Sequence, residues 1–167
     1  MEHTLSTQLV VNGTQFTISG KADRIDRRDG AVRIIDYKTG ILQDQDVKVS
    51  KKTDSVSDIP EKALQLMIYK YLYLKEHPEV RPDSVTASLY GLKNKKMCFD
   101  LNVELQALKD DFMGYMETLL TETLASIIDP NMPFTQSNDA KLKPCHFCPA
   151  KAICANTVTG AKLANDR

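Results

Sequence analysis

Asn12-Gly13 sits between two β-rich runs, LSTQLVV (residues 5–11) and TQFTIS (14–19). A two-residue loop of this composition tolerates positive φ at both positions, which a turn matching the twist of paired strands requires. The chain is therefore committed early to an antiparallel hairpin. Asp29-Gly30 repeats the device ahead of a third run, AVRIIDY (31–37). The opening segment thus reads as a meander of three strands, with the second and third pairing through Asp29-Gly30. Residues 41–57 are polar, charged and aperiodic, and read as a mobile loop.

A helix is expected next, capped by Asp58 with Glu61 three positions on, and ending near His77 ahead of Pro78. SVTASLYGL (84–92) and KMCFDL (96–101) read as fourth and fifth strands, joined through the basic turn LKNKK (92–96). Asn102 is placed to cap a long second helix reaching Ile128. Its apolar stripe would be Leu105, Leu108, Phe112, Met116, Leu119, Thr123 and Ile127. The order βββαββα predicts an α/β (α+β) fold, a mixed sheet flanked by helices.

At 167 residues the chain is long enough for one domain with a sizeable core. Residues 1–143 read as that core and 144–167 as a cysteine-containing tail packed on it. Twenty-two basic side chains balance twenty-two acidic ones, so any nucleic-acid contact must rest on a local patch. No apolar run approaches the ~18 residues of a membrane span. The start, MEHTLSTQLVV, lacks the basic and apolar blocks of a secretory signal. A cytoplasmic location follows as the expectation, in which the four cysteines stay reduced and serve as ligands or core residues.

The chemistry gathers in IIDYKTG (34–40). Residues two apart in a strand share a face, so Asp36 and Lys38 emerge together and Tyr37 opposite. If the flanking strands pair through Asp29-Gly30, Asp23 converges on Asp36. Two such carboxylates repel unless a cation lies between them, and Mg²⁺ favours oxygen ligands. A lysine beside that ion suits metal-assisted phosphodiester hydrolysis. A surface ion pair of little energetic weight is the plain alternative for any isolated Asp-x-Lys. In QLMIY (65–69), Gln65 and Tyr69 stand four apart on one helix face; a half-buried tyrosine is the plain reading.

GKADRIDRRDGAVRIIDYKTG (20–40) resembles the core signature of RecB-type nucleases of the PD-(D/E)XK superfamily, in which a Gly…DRID run is followed by DYKTG across a turn. The resemblance implies a restriction-endonuclease-like fold, Mg²⁺ or Mn²⁺ as cofactor and DNA as partner. It makes Asp23, Asp36 and the main-chain carbonyl of Tyr37 metal ligands and Lys38 the catalytic lysine. Gln65 and Tyr69 match the family's Q-x-x-x-Y helix, which borders the site. Lys21, Arg24, Arg27, Arg28, Lys48, Lys51 and Lys52 would supply the basic surroundings, and Glu2 and His3 are secondary ligand candidates.

PCHFCPAKAIC sets Cys145, Cys148 and Cys154 at C-x2-C-x5-C. Zinc coordination is one reading, with His146 awkwardly adjacent to Cys145. The run also resembles that of AddB-like nucleases, where it joins an upstream cysteine to hold a structural [4Fe–4S] cluster. Here no cysteine precedes the first strand, and the helix that normally opens the superfamily fold is missing. The cluster is thus expected to be incomplete, and the chain to be a C-terminal portion of a longer protein with a helicase region or subunit. The expected activity is a DNA exonuclease module of a repair or recombination helicase–nuclease, with a non-cutting scaffolding domain as the alternative and a zinc-stabilised interaction module behind both.

Overall fold

The structure, a computed structural model, describes residues 2–50, 53 and 56–132. The cysteine run 145–154 and Lys51 and Lys52 lie outside the described residues. The described chain up to Asp129 belongs to one compact unit.

β1 (His3–Val11) and β2 (Thr14–Ala22) form an antiparallel hairpin in register from His3–Ala22 to Val11–Thr14. Asn12 and Gly13 have φ of 50° and 78°, the left-handed pair that a twisted two-residue turn demands. Asp29 and Gly30, at 52° and 81°, repeat it between β3 (Arg24–Arg28) and β4 (Ala31–Lys38).

The expected three-stranded meander is therefore two hairpins. The chain bends at Asp23, so β2 stays with β1 while β3 joins a second sheet. The bend has a local cause. Asp23 Oδ2 accepts a 2.7 Å hydrogen bond from the Tyr37 N–H, which lies beyond the last β3–β4 ladder pair, Arg24–Ile35.

The second sheet has the order β3-β4-β6-β7, with β6 (Val85–Gly91) parallel to β4 and β7 (Cys98–Asp100) antiparallel at the edge. β5 (Lys48–Val49) and β8 (Asn102–Val103) form a short parallel pair. α1 (Glu61–Glu76) lies across β1, β2, β4 and β6, and α3 (Phe112–Ile128) packs on α1 and β1. This is the mixed, helix-flanked α+β architecture that the order of elements predicted. Ile34, Leu66, Met67, Tyr71, Leu72 and Leu89 are fully buried between sheet and helix. Burial of each such side chain contributes about 1.5–3 kcal/mol.

Three local expectations are corrected. The segment 41–57 is not merely a loop: Leu42, Val47 and Val49 are buried, around a single turn of 3₁₀ helix (Asp44–Val47) and β5. These pieces are too short to leave a periodic signature. α1 starts after Pro60 rather than at an Asp58 cap. Proline holds the preceding residue extended, and the first helical bond runs from Leu64 N–H to Pro60 C=O. Asn102 is in β8 and caps nothing; the long helix divides into α2 (Gln106–Asp110) and α3. Asp111 makes the break, its carboxylate accepting from Gly114 N–H at 2.9 Å as a cap for α3. The apolar stripe buries Leu108, Phe112 and Met116 and fades to Ile127, which is 62% exposed.

Candidate active site

Alternation along β4 sends Val32, Ile34, Asp36 and Lys38 to the face covered by α1. The apolar row passes into Asp36, only 5% exposed. Lys38 Nζ lies 2.8 Å from Asp36 Oδ2 and donates to Gln65 Oε1 at 2.9 Å. Gln65 Nε2 donates to the Tyr69 hydroxyl oxygen at 2.8 Å and approaches Asp36 Oδ1 at 3.4 Å. The amide has one consistent orientation: turned over, its NH₂ would face the ammonium. Four of the residues singled out from sequence, Asp36, Lys38, Gln65 and Tyr69, thus form one connected group.

Asp23 enters from the adjoining strand. In the β3–β4 register Arg24 opposes Ile35, so the next pair outward is Asp23 and Asp36, on the same face. Asp23 is half-buried, and its bond to the Tyr37 N–H ties it to the strand that carries Asp36 and Lys38. The Tyr37 ring points to the opposite face, 40% exposed and edge-on to Tyr90 at 6.0 Å.

Gly20 belongs to this group as well, though sequence reading assigned it no role. A Cβ there would lie 2.7 Å from Tyr69 Cε1 and 2.9 Å from Cδ1, so the ring rests directly on the β2 backbone. Glycine three residues ahead of an aspartate that ends a strand was the available signal.

The basic residues are dispersed rather than pooled. Lys21 pairs with Glu2, Arg24 with Asp26, Arg28 with Asp29 and Lys48 with Glu104. Glu2 is thereby engaged away from the carboxylates, and His3 faces Ala22 across the hairpin. Cys98 sits half-buried on the edge strand β7. Burial pushes its thiol up, and it donates to Asp100 at 3.3 Å.

The chain matches the PD-(D/E)XK nuclease superfamily over residues 2–155. It belongs to that superfamily. Among solved structures, that of SSO0001 is 19% identical, with a TM-score of 0.46, over 91% of this chain and 58% of its own. The chain therefore spans little more than half the length of that protein. No curated protein matches the chain significantly.

Superfamily membership implies a metal-dependent nuclease, and such nucleases generally use Mg²⁺ or Mn²⁺. The donor set fits a hard cation. Asp36 Oδ2 is buried, makes no hydrogen bond among the described residues and is ion-paired with the Lys38 ammonium at 2.8 Å. One ammonium leaves lone pairs of this buried carboxylate open to a second cation. Among the described residues no cluster of three or more His, Cys, Asp or Glu side chains surrounds it. No helix among the described residues is long and apolar enough to cross a membrane.

Proposed function

We propose that this chain is the divalent-metal-dependent DNA nuclease module of a repair or recombination helicase–nuclease, and that it works as an exonuclease. The observation that carries the reading is the buried Asp36 carboxylate, ion-paired with the Lys38 ammonium at 2.8 Å and joined by Asp23 from the neighbouring strand. Asp23, Asp36 and the Tyr37 carbonyl are the proposed ligands of Mg²⁺ or Mn²⁺. The ion, when bound, supplies Lewis-acid charge to the phosphodiester and eases deprotonation of the attacking water.

The remaining roles fall to the chain's own groups. Lys38 spends one donor on Gln65 and leans on Asp36, which leaves N–H to orient water or meet the charge developing on phosphate. Gln65 holds that ammonium in place. Tyr69 accepts from Gln65 through its oxygen, so its own proton is free to be donated to a phosphate oxygen. Burial pushes the Tyr69 phenol up, which keeps that proton in place at neutral pH.

A second reading, a scaffolding domain that keeps the fold without cutting, draws on the small number of carboxylates at the site. Cys145, Cys148 and Cys154 are proposed as ligands of a [4Fe–4S] cluster as in AddB-like nucleases. About four irons per monomer in the chain purified anaerobically would support the cluster, and bound zinc without iron would refute it.

The deciding experiment incubates linear single- and double-stranded DNA with the chain and Mn²⁺. Metal-dependent degradation lost in both Asp36→Ala and Lys38→Ala supports the nuclease. Activity surviving in either variant refutes the roles given to Asp36 and Lys38, whereas inertness of the unmodified chain and of a version extended upstream favours the scaffold. Release of mononucleotides from ends, and not cleavage of circles, supports exonuclease action.

A further inference from the structure

Asn94 is the centre of the basic turn between β6 and β7, and its side chain is bonded through both its nitrogen and its oxygen. Its Nδ2 donates to Leu42 C=O at 2.8 Å, and its Oδ1 accepts from Leu42 N–H at 3.0 Å. One side-chain amide thus pairs with both backbone groups of a residue in the segment that leaves the Asp36–Lys38 strand. Next to it, Leu92 N–H donates to Lys38 C=O at 3.0 Å, carrying the β4–β6 ladder one step past Gly91. The close approach demands a glycine: a Cβ at Gly91 would stand 2.5 Å from Asn94 Oδ1. Lys96 is also committed, paired with Asp44 and placed over the Phe99 ring at 4.6 Å.

Lys93 and Lys95 are different. Both are exposed, and neither has an ion-pair partner among the described residues. They flank the clamped Asn94 on a turn whose first residue is bonded to the carbonyl of Lys38. A lysine pair meant only for solubility needs no such anchorage. Most basic side chains nearer the sheet are neutralised by acids, so these two are unpaired positive charge fixed beside the end of β4.

We infer that the turn 92–96 is a docking surface for the phosphate backbone of DNA, with Lys93 and Lys95 touching the phosphates and Asn94 as the clip that holds the turn beside the end of β4. The inference rests on the nuclease reading and deepens it. Phosphate contacts of this kind fix the register of a strand without reading its bases. A prepositioned turn gives up less freedom on binding than a free one.

The test measures the affinity of a short fluorescein-labelled single strand by anisotropy, with Ca²⁺ replacing Mg²⁺, between about 50 and 200 mM KCl. Lys93→Gln combined with Lys95→Gln should weaken binding about tenfold at about 50 mM salt, and flatten the slope of log affinity against log salt by about 1.4, or about 0.7 for each phosphate that a lysine no longer neutralises. Lys109→Gln on α2 controls for net charge and should leave the slope alone. Asn94→Ala removes no charge, yet should weaken binding severalfold; circular dichroism checks its fold, and the lysine variants decide the matter if it unfolds. If the unmodified chain binds DNA and the double lysine variant keeps its slope, or Lys109→Gln flattens it equally per charge, the docking surface falls while the nuclease reading stands. If the unmodified chain binds no DNA, both fall.

Discussion

The central sheet carries an acid–base cluster on each face, and the two are built in opposite ways. On the outer face Asp26 is saturated. Arg33 donates to it through two nitrogens at 2.7 and 2.8 Å, and Arg24 adds a third interaction at 2.5 Å. On the face toward α1, Asp36 is far more buried yet meets fewer donors, with a 3.4 Å approach from Gln65 to one oxygen and the Lys38 ammonium 2.8 Å from the other. Stability alone would give the more buried carboxylate the better partners, because desolvation is the larger cost there. The inversion separates a cluster that holds two strands together from one left open to a ligand.

The sharpest way to break this contrast is to remove the carboxylate charges one at a time. On the proposed function, Asp36→Asn lowers the nuclease rate by about 10³-fold, the upper range for one electrostatic group aimed at a transition state. The same change should alter the metal-free melting temperature little, because relief of the Asp36 desolvation offsets the loss of its ion pair with the partly exposed Lys38. Mn²⁺ should raise the melting point of the unmodified chain and not of the variant. A large loss of stability in metal-free Asp36→Asn would place both clusters in the same structural class.

Gly20→Ala comes next. Its methyl group meets the Tyr69 ring and pushes it off β2. A displacement of that order costs about 10²-fold in rate if the Tyr69–Gln65–Lys38 chain positions the lysine. The check is a double-mutant cycle. In a Tyr69→Ala background the ring is gone and only the flexible end of Leu72, 3.3 Å away, still crowds the new methyl, so Gly20→Ala should then cost little more; additive losses would detach Gly20 from the site.

Much of this was legible beforehand because it rests on short-range rules. Asn-Gly and Asp-Gly turns, a period of two in IIDYK and a spacing of four in QLMIY depend only on neighbouring residues, and they bring Asp36, Lys38, Gln65 and Tyr69 onto facing surfaces. The failures involve competition between a backbone path and a side chain. Asp23 ended β2 by bonding the Tyr37 amide, and Asp111 split the second helix by capping its latter half. Leu42, Val47 and Val49 were hidden in a charged segment because their burial depends on β8 and α1, distant in sequence. Gly20 was visible only as part of the signature, and its contact with Tyr69 stayed hidden for a similar reason, since the ring it accommodates lies in another element.

Asp26→Asn tests the other half of the comparison. It should cost about 1 kcal/mol of stability, as a partly exposed ion pair does, while nuclease activity persists. The Arg33 hydrogen bond holds the Asp26 carboxyl below its ordinary value of 3.8. The contribution is therefore complete above the unfolded value and fades as pH falls through the lower folded one. Acid melting curves of Asp26→Asn and the unmodified chain should begin to converge as pH falls below 3.8 and meet only below the lower folded value; a gap persisting there would assign the loss to packing.

The smallest effect belongs to a charge with neither kind of cluster around it. Lys70, on α1, lies with its ammonium 4.9 Å from the centre of the Phe112 ring, and burial pushes its pKa below the ordinary 10.5, against a weaker opposing pull from Asp83. The folded state thus binds that proton less tightly than the unfolded state, so the charged form costs stability throughout the neutral range. That cost shrinks as pH rises through the folded value toward the unfolded one. Lys70→Met keeps the length and the packing against Phe112 while removing the charge. It should stabilise the chain by about 0.5 kcal/mol at pH 7 and by less near pH 10. Denaturant melts at the two pH values measure the difference, and a gain that grew with pH would mean that the ring, and not desolvation, governs this lysine.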